Sequence, residues 1–210
     1  MTVTAYGKGA TEAVDQAADE ISRLDQLLST GNEDSEIYKI NQSGDGILSE
    51  ETAYLVERSL DLYEATDGAF DIAIYPVMKV WGFTDDNFRV PDADELKDLL
   101  TLTDASDISY DKETSQIVFK KDGMQIDFGG IAKGYTSARI MDIFRACGIK
   151  SGLVNLGGNV QALGTKKDGS SWRVAVQDPQ DTDQYLGVLS IQDKAVSYTH
   201  LRAHETSLHL

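Results

Sequence analysis

The chain has 210 residues and is 41% hydrophobic, enough for a real core at a little over the ~150 residues of one typical domain. Lys and Arg number 19 against 35 Asp and Glu, a net charge of −16, and such a surface repels polyphosphate backbones at long range, which argues against nonspecific nucleic-acid binding. No apolar run approaches the ~20 residues of a membrane-spanning helix, and the lone Cys147 rules out an internal disulfide.

The chain opens on "MTVTAYGKGA", which lacks the basic and apolar regions of a signal peptide and reads as a strand already under way. Any export signal or lipid anchor is expected upstream of it. In "TEAVDQAADEISRLDQLL" the residues Val14, Ala17, Ile21, Leu24 and Leu28 fall at three-four spacing, an amphipathic helix. The stretch "STGNEDSEIYKINQSGDG" is too rich in Gly, Asn, Asp and Ser to be regular throughout. Ser49 then reads as the N-cap of a second helix, with Glu50 and Glu51 in its first turn and Ala53, Val56, Leu60 and Tyr63 facing inward.

"DADELKDLL" is a short third helix, and "SQIVFKKDGMQIDF" reads as a hairpin turning at Asp122-Gly123. A fourth helix runs from about Ile131 to Ala146 and stops before Gly148 at C′. Apolar strands follow around "GLVNL", "WRVAV" and "LGVLSI". With no repeat, linker or low-complexity block, the chain reads as one α+β domain over residues 1–197.

Two segments look chemical. In "DFGGIAKGY" (Asp127 to Tyr135) a strand ends in an Asp, two glycines turn the backbone, and a helix begins with Lys133 in its first turn. Free amides at a helix N-terminus, together with the dipole, make an anion site, and Gly129 and Gly130 let a phosphate come close to the backbone. Read alone, the pattern is equally a tight strand-to-helix turn with a solvated lysine, because neither the P-loop nor the dinucleotide fingerprint is matched. The second segment is "GAFDIAIYPVMKVWGF", Gly68 to Phe83, in which Pro76 breaks a strand and Trp81 and Phe83 offer rings to stack on a flat ligand or to plug a core. A further Gly pair in "VNLGGNVQALG" reads as a β-bulge or a binding loop.

Together with "SEIYKIN" and "WRVAVQDP", these stretches stand in the order and spacing of the ApbE-type FAD:protein FMN transferases, and the resemblance covers nearly everything from Thr2 to about Ser197. It implies an ApbE-like, T-fold-like α+β domain with a mixed or antiparallel sheet and packed helices. It also implies Mg²⁺-dependent cleavage of the FAD pyrophosphate, transfer of FMN to a Thr or Ser hydroxyl of an acceptor protein such as a redox-pump or electron-transfer subunit, and release of AMP. By motif position Ala69, Phe70, Asp71, Asp127 and Lys133 would lie against FAD, and the Gly130 carbonyl would face the metal, which suits a hard cation. On this reading Gly130 should tolerate Ala better than Val. The resemblance further implies an extracytoplasmic, membrane-associated protein, with a cytoplasmic one left open. An FAD-binding carrier or sensor without transfer chemistry is the alternative function, and an acidic interaction domain without cofactor a third.

The chain keeps the family's Ala195-Val196-Ser197 and departs at Tyr198. The family pattern continues into a His-His-Ile-Ile-Asp-Pro-x-Thr-Gly motif, which supplies metal ligands. His200 and His204 have the i, i+4 spacing of a zinc pair, but only Glu205 accompanies them, and imidazoles do not replace oxygen ligands on Mg²⁺. Residues 198–210 are therefore expected to be a foreign tail, with both ends of the sequence incomplete and the chain as given inactive in transfer.

Overall fold

The structure is a computed structural model, and it describes residues 1–85, 87–178, 180–181 and 183–197. The expectations for His200, His204 and Glu205 lie outside the described residues. The chain divides into two compact units, one made of Met1–Leu24 with the described residues from Lys133 on, the other of Asp25–Ala132.

The first unit is built on a four-stranded sheet in the order β1-β5-β6-β9, antiparallel at every pairing. Its strands are β1 (Thr2–Tyr6), β5 (Ser151–Leu156), β6 (Asn159–Gly164) and β9 (Ala195–Val196). Alternation along β5 buries Gly152, Val154 and Leu156. Two helices contribute to the core with them: α1 (Ala10–Leu28) through Ala13 and Ala17, and α6 (Ala132–Ala146) through Ile140, Met141 and Phe144. Phe144 lies so close that a Cβ added to Gly152 would stand 2.6 Å from its ring, so the glycine is what admits the aromatic. Truncating Phe144 to Ala would cost about 3–5 kcal/mol in a site this closely packed. α6 ends as expected: Gly148 adopts φ +73°, its N–H donates to the Arg145 carbonyl at 3.0 Å, and the Ile149 N–H donates to Phe144 at 2.8 Å.

A separate antiparallel ladder joins β7 (Trp172–Gln177) to β8 (Tyr185–Ile191), with Trp172 and Ile191 buried beside Ala162. The Gly pair of "VNLGGN" is not a bulge. Leu156 pairs with Asn159, so Gly157 and Gly158 form a two-residue hairpin turn between β5 and β6, at φ +57° and +91°. Two successive positive φ values match the turn whose twist suits a hairpin, which explains why glycines stand there.

The second unit holds a three-stranded antiparallel sheet, β2-β4-β3, formed by β2 (Asp45–Ile47), β3 (Ile108–Asp111) and β4 (Gln116–Phe119). Its helices are α2 (Glu36–Ser43), α3 (Glu50–Ala65), α4 (Tyr75–Val80) and α5 (Ala93–Leu100). Ile37, Leu55, Val56, Ile72, Ile117, Met124, Ile126 and Phe128 are buried.

Two expectations need correction here, and one helix was not foreseen. The polar stretch, irregular over part of its length as expected, contains α2, because Ser35 caps it by accepting the Tyr38 N–H at 2.9 Å and Gly44 closes it at φ +78°. Pro76 does not break a strand. It sits in the first turn of α4, directly after a 3₁₀ turn over Ile72–Ile74, where its missing N–H is harmless. The hairpin does not turn at Asp122-Gly123 either: β4 pairs backward with β3. Residues 124–128 form no ladder with it: both backbone groups of Ile126 and the N–H of Asp127 bond elsewhere.

Candidate functional site

Within the second unit, three of the sequence motifs converge on the backbone of residues 126–130. Asn41, from "SEIYKIN", is 7% exposed on α2. Its Oδ1 accepts the Ile126 N–H at 2.7 Å and its Nδ2 donates to the Ile126 carbonyl at 2.9 Å. The side-chain amide thus pairs with the backbone as a neighbouring strand would. One residue on, the Asp127 N–H donates to the Ile72 carbonyl at 2.9 Å, in the "GAFDI" segment. Phe70 reaches the same turn: a Cβ built on Gly130 would lie 2.9 Å from its Cε2.

The turn is also tied to itself. Asp127 Oδ1 accepts the Gly129 N–H at 2.6 Å, and the Phe128 carbonyl accepts the N–H groups of Ile131 at 2.9 Å and Ala132 at 2.7 Å. The expectation of a row of free amides after Asp127 is therefore corrected, since those of Gly129, Ile131 and Ala132 have partners within the turn. Neither Gly129 nor Gly130 is among the positive-φ glycines. Crowding calls for them instead: a Cβ on Gly129 would stand 2.7 Å from Asp127 Oδ1.

Ala69 is exposed, and its N–H donates to the Thr66 carbonyl at 3.2 Å. Phe70 is half-buried, with its N–H held by Thr66 Oγ1 at 3.0 Å. Asp71 turns inward as a brace: Oδ1 accepts the Ala73 N–H at 2.7 Å and Oδ2 accepts the Ala105 N–H at 3.1 Å. Burial pushes its carboxyl above the ordinary carboxylate value, an effect that the two amides oppose and that the nearby Asp104 reinforces. Trp81 and Phe83 are stacked on one another, with centroids 6.3 Å apart and planes 8° apart, while Phe88 meets Phe83 edge-on at 5.9 Å.

In the first unit, Lys133 presents an exposed side chain from the first turn of α6. Its carbonyl accepts Ser137 Oγ at 2.8 Å and Asn159 Nδ2 at 3.2 Å. Asn41, Ser137 and Asn159 escaped assignment from the sequence. The signal for Asn159 was its place directly after a Gly-Gly turn, whereas Asn41 lies in a stretch that reads as loop and gave none. Ser137 gave none.

Mg²⁺ was expected at the Gly130 carbonyl. Such an ion takes about six oxygens, whereas no group of three or more His, Cys, Asp or Glu side chains is placed to hold a metal among the described residues. An ion there would take the Gly130 carbonyl together with ligand phosphate oxygens and water, a set that Mg²⁺ accepts.

Comparison with known proteins agrees with the convergence of motifs. A model of the ApbE family matches residues 1–199. The FAD:protein FMN transferase of Treponema pallidum (strain Nichols) is 32% identical over 215 residues, covering 92% of this chain and 59% of that protein. One from Klebsiella pneumoniae (strain 342) is 30% identical over 180 residues, covering 84% and 55%. Among solved structures, the ApbE protein of Thermotoga maritima matches with a TM-score of 0.85 at 28% identity, over 92% of this chain and 63% of that one. The apo Pseudomonas stutzeri flavinyl transferase ApbE matches at 0.79 and 28%, over 92% and 61%. This chain thus spans 55% to 63% of the lengths of these relatives. The antiparallel sheets and helices seen here are those of that fold, and the chain belongs to the ApbE family.

Proposed function

We propose that the protein is an FAD:protein FMN transferase whose Asp127–Gly130 turn binds FAD, with Lys133 assigned to the ligand by the resemblance. The observation that supports this reading is the double hydrogen bond of Asn41 to Ile126, with Asp127 bonded to Ile72 beside it. A buried side-chain amide and a second loop hold a short, glycine-containing turn in one conformation. A turn fixed in this way is a preorganised support for a charged ligand. Phe70 offers an apolar edge beside Gly130, and Lys133 brings a cation to an otherwise acidic chain.

In the proposed reaction the hydroxyl oxygen of an acceptor Thr or Ser attacks the flavin-side phosphorus of FAD. The bond from that phosphorus to the bridging oxygen breaks, and AMP leaves with the oxygen. The hydroxyl proton is released, and FMN remains joined to the acceptor as a phosphodiester. Residues of this chain would bind and orient the pyrophosphate, which is most of what such a transfer requires of a protein. Mg²⁺ dependence is part of the proposal and rests on the resemblance and the Gly130 carbonyl. An extracytoplasmic, membrane-associated setting is likewise proposed from the resemblance alone.

The test is to titrate the protein with FAD, following flavin fluorescence, and then to incubate the complex with Mg²⁺ and a Thr-containing acceptor protein. Saturable quenching is expected of this chain, while a mass gain of one FMN on the acceptor and release of AMP are expected only of a version that carries the family's His-His-Ile-Ile-Asp-Pro-x-Thr-Gly segment. Quenching without transfer by that version too would favour the FAD carrier, and absence of both would overturn the proposal.

A further inference from the structure

The Lys133 carbonyl receives an unusual amount of support. Ser137, one turn along α6, is fully buried and donates its hydroxyl to that carbonyl at 2.8 Å. Asn159, 7% exposed, donates Nδ2 to the same carbonyl at 3.2 Å and to Ser137 Oγ at 2.7 Å. A serine bonding back to the preceding turn is common in helices. An amide supplied from another element to the first turn is not part of ordinary helix formation.

The donor is delivered by a rigid device. Asn159 is the first residue of β6, directly after the Gly157-Gly158 turn, and that turn is itself fixed by the Gly158 N–H donating to Asn155 Oδ1 at 2.8 Å. Asn159 also pairs in register with Leu156 on β5, whose next inward residue, Val154, lies in the same core as Ile140 and Met141 of α6. The hairpin therefore has one defined position against the helix.

We infer that Asn159 is a positioning residue for anion binding, holding the first turn of α6 so that the Lys133 ammonium is presented in a fixed place; this rests on the proposed FAD site. The first turn of a helix is where fraying begins. A long lysine side chain amplifies any movement of its own backbone, so its electrostatic value to a pyrophosphate depends on that turn being still. Asn159 makes the turn still through two hydrogen bonds, of which the one to Ser137 is buried, where such bonds are strongest. It acts through Lys133 and Ser137, whose main-chain and hydroxyl oxygens are the atoms it touches.

The experiment compares Asn159→Leu and Asn159→Asp with the unaltered chain. The Asp variant keeps the shape and removes the donor, so it reports even if the Leu variant fails to fold. Hydrogen exchange on the free protein comes first. Amides in the first two turns of α6 are expected to exchange about tenfold faster, with those of β5 unchanged. The second measurement is a double-mutant cycle on the FAD dissociation constant. In the Lys133 background the loss should be roughly three- to tenfold, and in the Lys133→Ala background less than about twofold. Equal losses in both backgrounds, or unchanged exchange in α6, would overturn the inference. Failure of the unaltered chain to bind FAD would overturn the FAD site instead, and the exchange measurement would still decide the role of Asn159 in holding the turn.

Discussion

Asn41 and Ile126 stand 85 positions apart in sequence, and the side chain of one completes both main-chain hydrogen bonds of the other. Ile126 is fully buried and Asn41 nearly so, so neither Ile126 group has a ready substitute if the amide is removed. Asn41→Ala should therefore leave a buried N–H and a buried C=O unsatisfied, at a cost of about 2–4 kcal/mol for the two together. Asn41→Asp should be intermediate, because a carboxylate still accepts the Ile126 N–H but presents an oxygen to its carbonyl. Urea unfolding measures both, and an Ala variant as stable as the parent would show that the pairing is dispensable.

Gly130 is the second test, and here the geometry revises an expectation. The sequence suggested that Ala would be tolerated and Val would not. A Cβ at this position already falls 2.9 Å from Phe70 Cε2, so even Ala requires the ring to move. Gly130 is exposed and the ring edge is the far end of a half-buried side chain, so Gly130→Ala is expected to lose only about 1 kcal/mol, the low end of the range for overpacking. Phe70→Leu in the same chain should recover part of that loss, since a smaller side chain vacates the ring's edge. Additive losses in the two single variants and the double variant would mean that the contact is not what excludes the methyl group.

How far the sequence could be read depended on whether a signal was local. The amphipathic face of α1 and the Gly148 stop of α6 are periodic or terminal features, and both were found where expected. The helix α2 was hidden because its caps, Ser35 and Gly44, lie inside a stretch whose composition looks like loop. The hairpin at Asp122-Gly123 was misassigned for a different reason. The run "MQIDF" has strand-like residues, but its polar backbone groups are taken by Asn41 and Ile72, partners that no window of neighbouring residues contains. The site behaved in the same way. Asp127, Gly130 and Lys133 were visible as a motif, whereas Asn41 and Asn159, which bond from other elements to Ile126 and Lys133, and Ser137, one turn along α6 from Lys133, were not.

Glu20 on α1 gives a prediction in pH. Its carboxylate accepts Arg23 Nε at 2.8 Å and Arg139 Nε of α6 at 3.2 Å. The hydrogen bond from Arg23, helped by Arg139 and opposed by partial burial, holds the carboxyl below the ordinary glutamate value of 4.5. A group lowered on folding adds stability above its unfolded value, and that stability is lost as pH falls through the folded one. Glu20→Gln should therefore be less stable than the parent at pH 7 and converge with it at a pH well below 4.5. The arginines are well exposed, so the difference should be small and should shrink with added salt. Thermal melts across pH would show it, and a gap that widens toward acid would contradict the sign.

Lys133 carries the last prediction. With the N–H groups of Gly129, Ile131 and Ala132 bonded within the turn, fewer main-chain donors remain to meet an anion than the motif suggested. The ammonium must then supply more of the attraction, and it does so against a net charge of −16 on the chain. A hydrogen bond to a charged group contributes about 1.5–3 kcal/mol, so Lys133→Ala should weaken FAD binding roughly ten- to a hundredfold. Lys133→Arg should retain part of the affinity, because it keeps the charge while changing the shape of the donor. Since Lys133 is exposed, raising salt should weaken the parent's binding more than that of the Ala variant. Isothermal titration of all three proteins with FAD at two ionic strengths tests this directly. An Ala variant with the parent's dissociation constant would remove Lys133 from the site and leave the Asp127–Gly130 turn to bind the pyrophosphate alone.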